Sequence, residues 1–159
     1  MGAVTPELVE EVVVALSPIE AAGMDTAWFH GDLWPGNILL RRPPRPPVVI
    51  DWERARPDAP AGLDAVFAEV SRTAMTRRCA FGEAAAALAR YPSPELVATV
   101  VGGRPFADWG RPEQLAVLLA TVTHFATGEE EGRSIDRWSE RWGEVHVLPI
   151  MTALRAAAR

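Results

Sequence analysis

Apolar positions along this chain fall into two spacings. Leu63, Val66, Phe67, Val70 and Ala74 recur at i, i+3 and i+4, the period of one helix face. Thr5-Pro6-Glu7 offers a capping hydroxyl, a proline at the first helical position and an early acid. A helix is therefore predicted from there to Leu16, ending before Pro18. Glu83 to Arg90 and Pro94 to Val101 predict two shorter helices, and Pro112 to Thr127 a longer one closed by Gly128. Ser134 to Ala158 predicts a last helix, bent near Pro149. Between the first two helices the pattern changes. Ala27 to Phe29, Ile38 to Leu40 and Val48 to Ile50 are short runs of strand type. The tract Arg41 to Pro47 separates the last two, and its prolines exclude strand there. It reads as a stiff exposed hairpin loop more readily than as a polyproline ligand for an adaptor domain. No internal repeat is apparent. The expectation is an α+β fold, mostly helical, with a small β-hairpin.

The chemistry clusters around that hairpin. His30 to Asn37 read His-Gly-Asp-Leu-Trp-Pro-Gly-Asn, and Val48 to Glu53 read Val-Val-Ile-Asp-Trp-Glu. An aspartate, then an asparagine five positions on, then a strand-end aspartate is the arrangement of kinase-type phosphoryl transfer. The free carboxylate takes the proton of the acceptor hydroxyl. The amide oxygen and the second carboxylate suit Mg²⁺, a hard cation that wants oxygen ligands. Pro35 and Gly36 favour a tight loop between Asp32 and Asn37. A hairpin of the two strands should then return Asp51 to the side of Asn37. Asn37 is also the only asparagine in the chain, so its placement at a metal position is hard to assign to chance.

This pair of motifs resembles the C-terminal lobe of the aminoglycoside phosphotransferase and choline kinase-like family. Its members share a two-lobed, protein-kinase-like fold and phosphorylate small-molecule hydroxyls with ATP and Mg²⁺. The resemblance implies Asp32 as catalytic base, and Asn37 and Asp51 as the residues holding Mg²⁺ on the ATP phosphates. His30 and Gly31 fill the structural part of the loop, and Trp52 stands where protein kinases have phenylalanine. In this family an aspartate near Asp64 braces the catalytic loop. The Gly-Asp-Pro expected before it is altered to Pro57-Asp58-Ala59-Pro60, so Asp64 reads equally well as an acid favoured in a helix's first turn. Trp34, Glu53, Trp138 and Trp142 are candidate acceptor contacts. Trp138 and Trp142 lie four apart, among Glu129, Glu130, Glu131, Asp136, Glu140 and Glu144. They read either as a pocket for a cation or as core tryptophans beside a solvated acidic face.

One departure qualifies the match. All 16 Lys+Arg positions are arginine. Kinases of this type grip the nucleotide phosphates with a lysine on an N-terminal lobe. Only 29 residues precede the catalytic loop, and the Gly102-Gly103 pair lies far downstream. The expectation is a single domain over residues 1–159, a phosphotransferase C-terminal lobe with the nucleotide-binding lobe absent. Alone, such a chain should bind ATP weakly, and the face above its catalytic loop should be apolar. It is then a truncated enzyme, half of a split kinase completed by another chain or by self-association, or a non-catalytic binding module.

Composition narrows the partners. A net charge of −5 argues against nucleic acid. Cys79 is the single cysteine, which excludes an internal disulfide and fits a reducing compartment. With His30, His124 and His146 it forms none of the short spacings of a zinc site. His30 reads as a hydrogen-bonded loop residue, and His124 and His146 as packing histidines. No secretory leader is recognisable, and the run Leu115 to Ala126 is too short to span a bilayer. The expected setting is cytoplasmic, away from any membrane, with a small-molecule hydroxyl as substrate.

Overall fold

The Thr5 hydroxyl accepts a hydrogen bond from the Leu8 N–H at 3.3 Å and starts the first helix. The computed structural model describes residues 5–129 and 143–157. Helix α1 spans Pro6–Ala21 and continues through Pro18 rather than stopping before it. Proline removes the N–H that would serve the Val14 carbonyl. The Ser17 hydroxyl donates to that oxygen instead, at 2.8 Å. The extra turn lets Ile19 pack against the core.

Strand β1 is Thr26–Phe29. Strands β2 (Ile38–Leu39) and β3 (Val48–Val49) form the expected antiparallel hairpin, with Ile38 opposite Val49. Its connecting tract is exposed, and Arg41 Nε closes it on the Pro46 carbonyl at 2.9 Å. Strand β4, Arg56–Pro60, was not foreseen: its two prolines and its aspartate disfavour strand. It pairs antiparallel with β1 alone, where missing N–H groups can face outward.

Helix α2 is Leu63–Arg77, with Leu63, Val66, Phe67 and Val70 buried as their spacing predicts. Helix α3 is Phe81–Arg90. Glu83 is not its first residue; the Glu83 carboxylate reaches back to the Ala80 N–H at 3.0 Å. Helix α4 is shorter than expected, Pro94–Ala98. The β-branched pair Val100–Val101 leaves it to become strand β5, which pairs with β6 (Arg104–Pro105). Gly102 and Gly103 close that hairpin at φ +57° and +91°, the two positive angles a tight two-residue hairpin turn needs.

Helix α5 is Arg111–Glu129. A π-helical turn, Gly143–Val147, leads into helix α6, Leu148–Ala157. The break expected near Pro149 is thus a widened turn just before it, a common way for a helix to absorb a residue that cannot donate. The first part of the predicted Ser134–Ala158 helix, with Trp138 and Trp142, lies outside the described residues. Helices α2, α3, α5 and α6 enclose the core, where Phe67, Leu118, Leu119, Ile150 and Met151 are fully buried. The fold is α+β and mostly helical, with small antiparallel sheets. Among the described residues no helix is long and apolar enough to cross a membrane.

Candidate active site

The loop after β1 is held from three sides. From below, both oxygens of Asp64 take its backbone: the His30 N–H donates to Oδ2 at 2.8 Å and the Gly31 N–H to Oδ1 at 3.2 Å. Asp64 also sits in the first turn of α2.

His30 is buried and joins the two motifs. Its Nδ1 accepts from the Asp32 N–H at 3.2 Å, which leaves Nε2–H to donate to the Ile50 carbonyl at 2.9 Å. Its ring meets Trp52 edge-on at 4.6 Å, and Trp52 Nε1 donates to the Val49 carbonyl.

The third brace comes from α5. His124 Nε2 donates to the Gly31 carbonyl at 2.7 Å, and its ring packs edge-on against Phe29 at 4.6 Å. Burial, first, and then Arg56 and Arg54 lower its pKa, although the Gly31 bond and Asp64 oppose them. Reading His124 as a packing histidine is right about its ring. A half-buried ring N–H favours a partner, but the sequence does not say that the partner is the loop after β1. Gly31 has φ +82°, and a Cβ there would lie 2.7 Å from His124 Nε2 and 2.8 Å from the Arg54 carbonyl. Only glycine fits between the braces.

Asn37 is buried at the far end of the loop. Its Nδ2 donates to the Asp32 carbonyl at 2.9 Å and to Asp32 Oδ2 at 3.0 Å. The Ile50 N–H donates to the Asn37 carbonyl at 3.0 Å, which sets Asp51 next to it. Asp51 adopts φ +66°, a left-handed conformation that aspartate tolerates better than most residues but that still costs roughly 1–3 kcal/mol. Asp32, Asn37 and Asp51 line one cavity of about 550 Å³. Trp34 lines it too, with its ring against Gly36, where a Cβ would come within 2.3 Å of it. Glu53 is exposed and lies outside this lining.

Residues that sequence reasoning did not assign to a site complete the cavity. Arg54 joins the loop side, and Phe67, Ser71, Ala74, Met75, Cys79, Phe81 and Phe125 form the opposite wall. Most of these read as helix-face positions, and helical spacing does not tell a core face from a cavity wall.

Among the described residues no group of three or more His, Cys, Asp or Glu side chains could hold a metal. Mg²⁺ needs less from a protein: it keeps several waters and takes one or two protein oxygens plus substrate phosphates. The donor set fits that demand. With Nδ2 committed to Asp32, Asn37 has Oδ1 to offer, and neither carboxylate oxygen of Asp51 accepts a hydrogen bond among the described residues.

The loop and hairpin of this mostly helical α+β body bring an aspartate, an asparagine and a second aspartate to one cavity. The phosphotransferase enzyme family model matches residues 4–91, from α1 through both motifs and α2 to the end of α3, and the chain belongs to that family. No curated protein and no solved structure matches it.

Proposed function

We propose that this chain is the acceptor- and metal-binding lobe of a small-molecule kinase, moving the terminal phosphoryl group of ATP to a hydroxyl. The observation that carries this reading is the Asn37 amide locked onto Asp32 at 3.0 Å. That one bond orients the base and turns the Asn37 Oδ1 toward use as a ligand. Asp32 Oδ2 holds the amide, and Oδ1 is left to accept the proton of the acceptor hydroxyl. The hydroxyl oxygen bonds to phosphorus as the bond to ADP breaks, and the proton passes to Asp32. Asn37 and Asp51 would hold Mg²⁺, which supplies neutralisation of the phosphate charge. His30, Asp64 and His124 keep the loop in place, so that little reorganisation is needed as the proton moves.

The nucleotide needs a second body. The described residues before the loop form α1 and β1 rather than a multi-stranded cover, and the chain has no lysine for the phosphates. The hairpin exposes apolar side chains where such a body would sit: Leu40 is 85% exposed, Trp52 54% and Leu39 48%. A nucleotide-binding lobe seated there, or a second copy of the chain covering it, completes the picture. ATP binding by the described lobe alone should then be no tighter than millimolar, around −4 kcal/mol.

The test is transfer of radiolabelled phosphate to a panel of amino sugars, amino alcohols, sugars and aryl alcohols, with a family N-terminal lobe fused ahead of the chain or co-expressed. Phosphorylation of any hydroxyl acceptor supports the reading. A folded two-lobe protein that binds a panel member but transfers nothing to it favours a non-catalytic binding module.

A further inference from the structure

We propose that the acceptor presents an apolar ring body beside its hydroxyl and is not a polycationic amino sugar. This rests on the kinase reading of the cavity and deepens it. Opposite Asp32 and Asn37, the wall is built by Phe67, Ala74, Met75, Cys79, Phe81 and Phe125. Phe81 stacks on Phe125 with ring centroids 4.3 Å apart and tilts against Phe67 at 5.1 Å, so the wall is a fixed aromatic floor. About 550 Å³ is room for a ring-bearing ligand of ordinary size, and apolar walls with few polar anchors are the common form of such sites.

The polar complement of that wall is small and specific. Ser71 is only 7% exposed and lines the cavity, yet its hydroxyl makes no hydrogen bond among the described residues. The hydroxyl oxygen is not fully enclosed, so a hydrogen-bonding occupant of the cavity can reach it. It suits one neutral polar group on an otherwise apolar occupant.

Charge points the same way. The charged side chains lining the cavity among the described residues are Asp32, Asp51 and Arg54. The two aspartates serve the proton and the metal. A polycation brought out of water needs several carboxylates around it, and the aromatic floor supplies none.

The chain carries its own reporter. Cys79 is the only cysteine, lies on the apolar wall, and has its thiol pKa raised, chiefly by burial. Alkylation of the protein by N-ethylmaleimide at mildly alkaline pH, followed by intact-mass spectrometry, therefore reads occupancy of that wall without ATP or turnover. Saturating naphthalenemethanol should slow alkylation by about tenfold, and kanamycin should leave the rate unchanged. Asp32→Asn should keep the protection. Met75→Asp, at a site 57% exposed and so tolerant of substitution, should remove it, and Ser71→Ala should weaken it. Protection by kanamycin, or none by naphthalenemethanol, overturns the inference. The two failures are separable: protection without transfer to any acceptor sinks the kinase reading, whereas transfer confined to amino sugars sinks only this one.

Discussion

His124 on α5 donates from Nε2 to the Gly31 carbonyl at 2.7 Å, across 93 residues of chain. The family match ends at residue 91, so this brace reaches the loop after β1 from outside the matched segment. His124→Phe keeps a ring against Phe29 but leaves the Gly31 oxygen unpaired. The expected loss is about 1–3 kcal/mol of stability in urea unfolding. In the two-lobe form kcat should fall while the acceptor KM moves little, because the loop that carries Asp32 loosens. His124→Gln, which retains an N–H donor, should recover part of both. An unchanged kcat in His124→Phe would remove the positioning role.

Gly31→Ala tests the same junction from the loop side. Alanine at φ +82° is strained by roughly 1–3 kcal/mol, before the overlaps with His124 and the Arg54 carbonyl are added. The urea midpoint should drop accordingly, and a variant as stable as the parent would mean the loop is held less tightly than the braces imply.

Asp64 carries two backbone N–H groups of the loop. Asp64→Ala leaves both unpaired, at about 1–3 kcal/mol for each buried donor not rescued by water. Hydrogen exchange at His30 and Gly31 should accelerate more than exchange elsewhere in the domain. Uniform acceleration would show a general loss of stability instead.

Stability should fall between neutral pH and pH 5. Half-buried His124 and buried His146 have pKa values below 6.5, His124 by direction and His146 to about 4, in each case first because burial penalises the charged ring. Arg54 and Arg56 add to the lowering at His124, and Asp64 opposes it; Glu83 opposes it at His146. As pH falls through 6.5 the unfolded chain takes up protons that the folded chain refuses. Their contribution is therefore full above 6.5 and lost toward about 4. Glu69 and Glu11 act in a lower window. Hydrogen bonds from Arg72 and Arg155, their largest causes, hold them below 4.5, so their share is lost only under that value. His146→Phe, which keeps a ring against Phe125, should flatten the melting-temperature profile between pH 7 and 5. An unaltered slope would place the pH dependence elsewhere.

Much of this was legible because local chemistry and global fold agree in it. The spacing of Leu63, Val66, Phe67 and Val70 could only be one buried helix face, and Val48-Val49 could only return beside Ile38-Leu39. What was illegible depends on partners distant in sequence. Strand β4 is a run of poor strand formers that exists because β1 offers it hydrogen bonds. Val100 and Val101 continue a helical pattern, but the two glycines after them turn the chain into a hairpin. At the site, Asp32, Asn37 and Asp51 carry their chemistry in a motif. The aromatic floor from Phe67, Phe81 and Phe125 carries none that differs from core packing, so this wall of the cavity could not be read from spacing.

The central claim is that Asp32 takes the proton in phosphoryl transfer. The most direct measurement is turnover of Asp32→Asn in the two-lobe form, with Mg²⁺ and ATP saturating and folding checked by thermal unfolding. Asparagine can still hold the Asn37 amide through its oxygen but cannot accept the hydroxyl proton. Turnover should fall by roughly 10²–10⁴-fold, the scale of a positioned general base, with the melting temperature little changed. Turnover equal to that of the parent protein would contradict the account.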